Sequence, residues 1–323
     1  MLTAHLWRKA PPKVRLAMVA ALLSWFAFNL VSSVLAHRAL PAYVAPQSSS
    51  ALSPSIEIVP GVRWSEVVLP RGKQQSRLWV YLPSPLPAKK LPCVFIAPAG
   101  TRLFHGIGLG EGDQPEQVPY AQAGFAVVAY ELDGEIKGQN LDMDDEATSL
   151  AVRAFWSSEA GLKNAQDAIR YALAKLPTDP QRLYAAGHSS AGTMALHLAE
   201  SEPRIAACVA YAPTTDLEAR FGAAWIARME RYRDFTLRSS PIRNVASLKC
   251  PTFLFHADDD DNTPLSDNQS FATALHKTNP RVTFVRVPSG DHYTSMVKQG
   301  IPRGIAWLKA LSTSKGGVDT SQR

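Results

Sequence analysis

The feature that most constrains this chain is the run Gly187-His188-Ser189-Ser190-Ala191-Gly192, set between two segments of opposite character. Before it, Arg182-Leu183-Tyr184-Ala185-Ala186 is short and largely apolar, as a buried strand is. After it, Thr193-Met194-Ala195-Leu196-His197-Leu198-Ala199-Glu200 consists of helix formers. A serine at so tight a strand-to-helix turn must sit in a strained backbone conformation. Only small neighbours let strand and helix close around it. That is the layout of a nucleophile elbow. Two registers are available. With Ser189 at the apex the frame reads Gly-x-Ser-x-Ala, and Gly192 falls one place late. With Ser190 at the apex, His188 takes the position of the first glycine. One added methyl intrudes less than one added ring, which favours Ser189. A serine that merely caps the helix is the plainer alternative.

An elbow serine works with a general base and a group that orients the base. On such a scaffold the acid and then the histidine follow the serine along the chain. Downstream, Pro251-Thr252-Phe253-Leu254-Phe255-His256 reads as a buried strand and runs into Asp258-Asp259-Asp260-Asp261-Asn262-Thr263-Pro264. A helix is expected from Leu265 to Lys277, then a strand over Val282–Val287 that ends in Pro288-Ser289-Gly290-Asp291-His292. Ser189 and Asp260 are 71 residues apart, and Asp260 and His292 are 32 apart. Both separations fit successive β-α crossovers, which return the three loops to one edge of a parallel sheet. His292 is the expected base and Asp260 the expected acid, with Asp259 and Asp261 as alternatives. His256 reads as structural. Calcium loops alternate acids with spacers and close on a bidentate Glu, a pattern this run lacks. No metal and no organic cofactor is expected.

The apolar strand Pro92–Ala97 leads into Pro98-Ala99-Gly100-Thr101. A small turn there can aim a backbone N–H at a substrate oxygen. The Gly100 N–H, or that of Thr101, is expected to pair with the Ser190 N–H as an oxyanion hole. An ordinary strand-exit turn is the plainer alternative.

These residues carry a resemblance. From about Arg63 to Leu311 the chain resembles the α/β-hydrolase superfamily, and its second half is similar to the catalytic domain of the prolyl oligopeptidase family and related esterases. The resemblance rests on Gly187–Gly192, on Ser240-Pro241-Ile242 leading to Leu248-Lys249-Cys250-Pro251, on His256-Ala257 with Asp260 before Thr263-Pro264, and on Gly290-Asp291-His292. The family pattern usually has His-Gly and Val-Pro where this chain has His256-Ala257 and Thr263-Pro264. The resemblance implies an α/β-hydrolase fold, a mostly parallel central sheet with helices on both faces, and acyl transfer from a small ester to water. Peptidases of the family place a large propeller-type domain ahead of the catalytic one, and no internal repeat is visible here. That tilts the expectation toward an ester rather than a short peptide. A peptidase or aminoacyl-amide hydrolase is the alternative within the class. A membrane-tethered binding protein without turnover is the alternative outside it.

Leu16 to Ala36 is 21 residues without a charge, preceded by Arg8, Lys9, Lys13 and Arg15. Such a run is long enough to cross a bilayer, with the basic flank on the cytoplasmic side. Residues 1–36 are expected to form an uncleaved anchor that leaves the catalytic domain outside the cytoplasm. A cleaved signal ending at Val34-Leu35-Ala36 is the competing reading, and it gives a secreted or periplasmic protein. Residues 37–55, rich in Pro, Ala and Ser, read as a linker. Residues 56–314 read as the catalytic domain, and 315–323 as a tail. Five basic residues and no acidic one precede residue 51, so the net charge of +6 falls to +1 for the rest. No basic stripe interleaved with aromatics appears, which argues against nucleic acid. The sequence does not fix an oligomeric state.

Alternating strands and helices support a mostly parallel α/β sheet. A leading antiparallel pair is expected at Trp64–Leu69 and Arg77–Leu82, and a closing helix at 294–311. Residues 215–245 interrupt the alternation. There Leu217, Phe221, Trp225, Ile226 and Met229 repeat at helical spacing. The segment is either a helix packed on the core or a lid over the site. Tyr211 and Trp225 are candidate substrate contacts, as is the loop Glu131-Leu132-Asp133-Gly134.

Overall fold

The computed structural model describes residues 11, 42–46, 52–71, 74–136, 146–222, 226 and 230–314. The chain divides into two units, Met1–Leu40 and Pro41–Arg323, and the second holds the elements described below. The 16–36 segment lies outside the described residues, as does Trp225. Among the described residues, no helix is long and apolar enough to cross a membrane.

Nine strands form one sheet: β1 (Ile56–Val59), β2 (Val62–Arg71), β3 (Gln74–Pro83), β4 (Leu91–Ile96), β5 (Ala126–Tyr130), β6 (Thr178–His188), β7 (Ile205–Tyr211), β8 (Thr252–Ala257) and β9 (Val282–Val287). Their spatial order is β1-β2-β3-β5-β4-β6-β7-β8-β9. The leading strands pair antiparallel through β3 and β5. Every pair from β5 onward is parallel. Among the described residues the helices are α1 (Gln114–Gln122), α2 (Glu146–Ser157), α3 (Leu162–Lys175), α4 (Ser189–Ser201), α5 (Leu217–Phe221), α6 (Glu230–Ser239), α7 (Pro241–Asn244), α8 (Leu265–Thr278) and α9 (Ile301–Ser314).

The central strands are apolar without a break because both faces of the sheet are covered. Period-two alternation then sorts each strand between two cores. Cys93, Phe95, Ala126 and Val128 face a core shared with Phe155 and Ile169 from α2 and α3, with Leu196 from α4 and with Phe271 from α8. Val94, Ile96, Val127 and Ala129 face the opposite core, with Tyr120 from α1 and Leu308 from α9. Parallel crossovers bring the carboxyl ends of β4, β6, β8 and β9 to one edge, where a site is expected.

Residues 42–46, within the expected linker, belong to the second unit and are bonded to it. The Tyr43 hydroxyl donates to Asp167, and the Arg71 guanidinium lies 4.4 Å over the Tyr43 ring. Arg71 Nε also donates to the Val44 carbonyl at 2.8 Å. Beyond them, Ser53 exchanges hydrogen bonds with the Glu66 backbone. Among its described residues, the 215–245 segment forms the short helices α5, α6 and α7. Phe235 of α6 packs against Phe155 and Trp156, so that part is core.

Candidate active site

β6 ends at His188, and α4 begins at the next residue. Ser189 sits at that junction with φ 54°, a left-handed conformation that L-residues other than Asn and Asp rarely adopt. A Cβ on Gly187 would stand 2.3 Å from the Ala191 carbonyl oxygen. Only glycine fits there, because strand and helix touch. Ser189 thus holds the strained turn between strand and helix, in the Gly-x-Ser-x-Ala register.

The loop after β9 carries His292 and the loop after β8 carries Asp260. His292 Nδ1–H donates to Asp260 Oδ2 at 2.7 Å. Asp260 Oδ1 accepts the N–H groups of Asn262 and Thr263, each at 2.9 Å. The Thr263 hydroxyl adds a bond to Oδ2 at 3.0 Å. Burial alone disfavours the charged carboxylate, but the His292 hydrogen bond, the backbone donors and the imidazole charge outweigh it. The Asp260 pKa is held well below the usual range. His292 Nε2 is buried and has no hydrogen-bond partner, so the bond from serine to imidazole is not closed in this structure. Serine–base contacts are often open in free enzymes and tighten on substrate.

The neighbouring acids have other work. Asp258 pairs with Arg286 at 2.9 Å. Asp259 accepts the N–H groups of Gly290 and Asp291, each at 3.1 Å, and so ties the β8 loop to the turn that carries His292. His256 is fully buried and lies 3.3 Å from the Thr263 hydroxyl, a structural placement.

Two expected contacts need correction. Tyr211 is not at the site. It is buried among Phe253 and Phe255, and its hydroxyl meets that of Tyr120 at 2.6 Å. Being last in β7, its side chain takes the face opposite the elbow. The loop at 131–134 is likewise structural, since Arg71 grips Asp133 with two hydrogen bonds and Arg77 pairs with Glu131. Gly100 and Ser190 do meet, but through an unexpected atom. The Ser190 hydroxyl oxygen accepts the Gly100 N–H at 2.9 Å and the Thr101 N–H at 3.2 Å. The Ser190 N–H itself lies in the first turn of α4, where helices leave donors free.

Sequence reasoning passed over His188. It is buried, donates Nε2–H to the His292 carbonyl at 3.0 Å, and presents Nδ1 to Glu116 Oε1 at 3.3 Å. Its ring centroid lies 4.5 Å from that of His292. Its place beside the elbow serine was the available signal.

Ser189, Ser190, Gly100 and Thr101 line one cavity of about 310 Å³. Arg102, Leu103, Phe104, Thr214, Arg220, Phe221 and Asn262 complete its wall. The first part of the 215–245 segment thus borders the site while α6 joins the core. Among the described residues no group of three His, Cys, Asp or Glu is placed to hold a metal ion.

The sequence pattern of the prolyl oligopeptidase family matches residues 151–313, half of the chain, and spans Ser189, Asp260 and His292. The chain belongs to the prolyl oligopeptidase family. Comparison with curated proteins by sequence finds no match. Among solved structures, acetyl xylan esterase 1 from a Thermoanaerobacterium species superposes with a TM-score of 0.58 at 17% identity, over 83% of this chain and 89% of that one. An S-formylglutathione hydrolase from Agrobacterium tumefaciens gives 0.59 at 15% identity, over 80% and 98%. An acylaminoacyl peptidase from Pyrococcus horikoshii gives 0.55 at 14% identity, over 85% of this chain and 41% of that one. At these identities the likeness is one of fold, an α/β-hydrolase-like fold with a mostly parallel sheet. The family assignment sets the elbow and the two loops in the domain type that the motifs resemble.

Proposed function

We propose that the protein is a serine hydrolase that cleaves an ester through Ser189, His292 and Asp260. The observation that carries this is the Ser189 elbow lining the same sheet edge as a His292–Asp260 pair whose Nε2 has no competing partner. His292 Nε2 takes the Ser189 proton as Oγ attacks the substrate carbonyl. Asp260 fixes the tautomer that leaves Nε2 able to accept it, and stabilises the imidazolium that forms. The Ser190 N–H, with the Gly100 or Thr101 N–H, receives the charge that develops on the carbonyl oxygen. His292 returns the proton to the leaving alcohol. Water then attacks the acyl carbon as it loses a proton to Nε2, and Nε2–H returns that proton to Ser189 Oγ as the Oγ–acyl bond breaks and the acid leaves.

A second reading has its own support. The family is named for peptidases, and the structural neighbours include acylaminoacyl peptidases. Matched ester and amide substrates with the same acyl group separate the two. An ester hydrolase turns over the ester and leaves the amide. Equal or greater kcat/KM on the amide supports the peptidase.

The uncharged 16–36 run behind four basic residues supports an uncleaved anchor that holds residues 56–314 outside the cytoplasm. N-terminal sequencing of native protein tests it. A mature start at His37 means that the segment is a cleaved signal.

A further inference from the structure

We infer that the cavity beside Ser189 takes an ester bearing a carboxylate, held by Arg102 and Arg220; this rests on the serine-hydrolase reading above. Among the described residues, the charged side chains in the wall of that cavity are these two arginines, and no acidic residue lines it. Both residues are exposed, so their charges face solvent and any occupant. Among the described residues neither forms an ion pair. Arg220 is nevertheless fixed: its Nη1 donates to the Asn262 carbonyl at 3.1 Å, and its Nη2 points at Asn262 Oδ1 at 3.5 Å. Neutral oxygens thus hold the guanidinium in place without cancelling its charge.

Several acids on the neighbouring loops have partners of their own. Glu218 pairs with Arg243, Asp133 with Arg71, and Asp260 with His292. Asp216 caps α5 through the Glu218 and Ala219 N–H groups. Asp267 and Arg220 both line a second cavity of about 170 Å³, and among the described residues the two form no ion pair. A planar guanidinium with free donors matches a carboxylate in shape and charge. Phe104 and Phe221, whose ring centroids lie 6.0 Å apart, supply an apolar wall for the carbon chain between carboxylate and ester. Such a cavity rewards one negative charge a short chain away from the scissile carbonyl.

The carboxylate can sit on the acyl side or on the alcohol side. Two substrate pairs distinguish these with the full-length protein: para-nitrophenyl hemiglutarate against its carbamoyl analogue, and O-acetyl lactate against O-acetyl lactamide. We expect the anionic member of one pair to exceed its neutral partner by about tenfold in kcat/KM, the size of one charge-assisted contact. Arg102→Gln with Arg220→Gln should collapse that ratio toward one. A wild-type ratio at or below one in both pairs, or a ratio that the double variant leaves unmoved, overturns the inference. Failure to turn over any ester counts against the hydrolase reading instead. The anion site is then decided by calorimetry with Ser189→Ala protein and glutarate. Binding that the two arginine substitutions abolish upholds the site, and absence of binding overturns it.

Discussion

The Ser190 hydroxyl oxygen accepts the Gly100 N–H at 2.9 Å, bridging the elbow to the exit loop of β4 across 90 residues of chain. It ties together the two strand ends proposed to form the oxyanion hole. Removing the hydroxyl while keeping the backbone N–H isolates its contribution. Ser190→Ala should lower kcat by about tenfold, the scale of one or two lost hydrogen bonds. Steady-state kinetics on a chromogenic ester checks this. A loss as deep as that of Ser189→Ala would mean that Ser190 takes part in the chemistry directly.

Three acids in the Asp258–Asp261 run predict three different outcomes. Asp260→Asn should cut kcat by about 10⁴ with the fold retained, since asparagine favours the wrong imidazole tautomer. Asp259→Ala removes the acceptor for Gly290 and Asp291 and should cost about tenfold. Asp258→Asn breaks only a surface pair with Arg286 and should stay within about twofold. The folded pKa of Asp260 lies below its ordinary value of 3.8. Its stabilisation is therefore complete above that pH and fades as pH falls through the folded value. Wild-type stability should drop below pH 3.8, where the Asp260→Asn curve is flatter. Equal kinetic losses across the run would contradict the assignment.

Much of this was legible in the sequence, and the exceptions share a cause. The parallel strands and the elbow register followed from local patterns, because alternation and small-residue spacing are written into consecutive residues. β1 was missed because Ile56–Val59 is short and held only by its pairing with β2. Tyr211 was misplaced because a residue at a strand end is assigned to a face only once the sheet exists. The loop Glu131–Gly134 reads as a substrate contact in the sequence because Arg71, the partner of Asp133, is 62 residues away. The hydroxyl of Ser190 acts through contacts to Gly100 and Thr101 that no spacing announces.

Asp113 offers a pH test of the loop before α1. Burial raises its carboxyl to about 6, opposed by the Gly110 N–H and reinforced by the Glu116 charge. A folded value above the unfolded 3.8 means that ionisation weakens the fold as pH rises from 3.8 through 6. Asp113→Asn keeps an acceptor for Gly110 and loses the charge. Its Tm should exceed wild type at about pH 8 and match it at about pH 3. A gain of equal size at both pH values would contradict the assignment.

Tyr43 pins the segment after Leu40 to the hydrolase unit through Asp167 and Arg71. Tyr43→Ala should lower unfolding free energy by about 2 kcal/mol, from one charge-assisted hydrogen bond and one cation–π contact. A truncation starting at Pro41 should match the second unit's full stability in denaturant. One starting at Ser55 should lose as much as Tyr43→Ala or more. Identical midpoints for the two truncations would show that the contact contributes nothing.

Every catalytic role assigned here depends on Ser189 being the nucleophile. A serine-directed fluorophosphonate, followed by peptide mass spectrometry, reads this directly. Stoichiometric adduct on Ser189, lost in Ser189→Ala and strongly slowed in His292→Ala, is the predicted result. An adduct on Ser190, or none on protein that is folded, would contradict it.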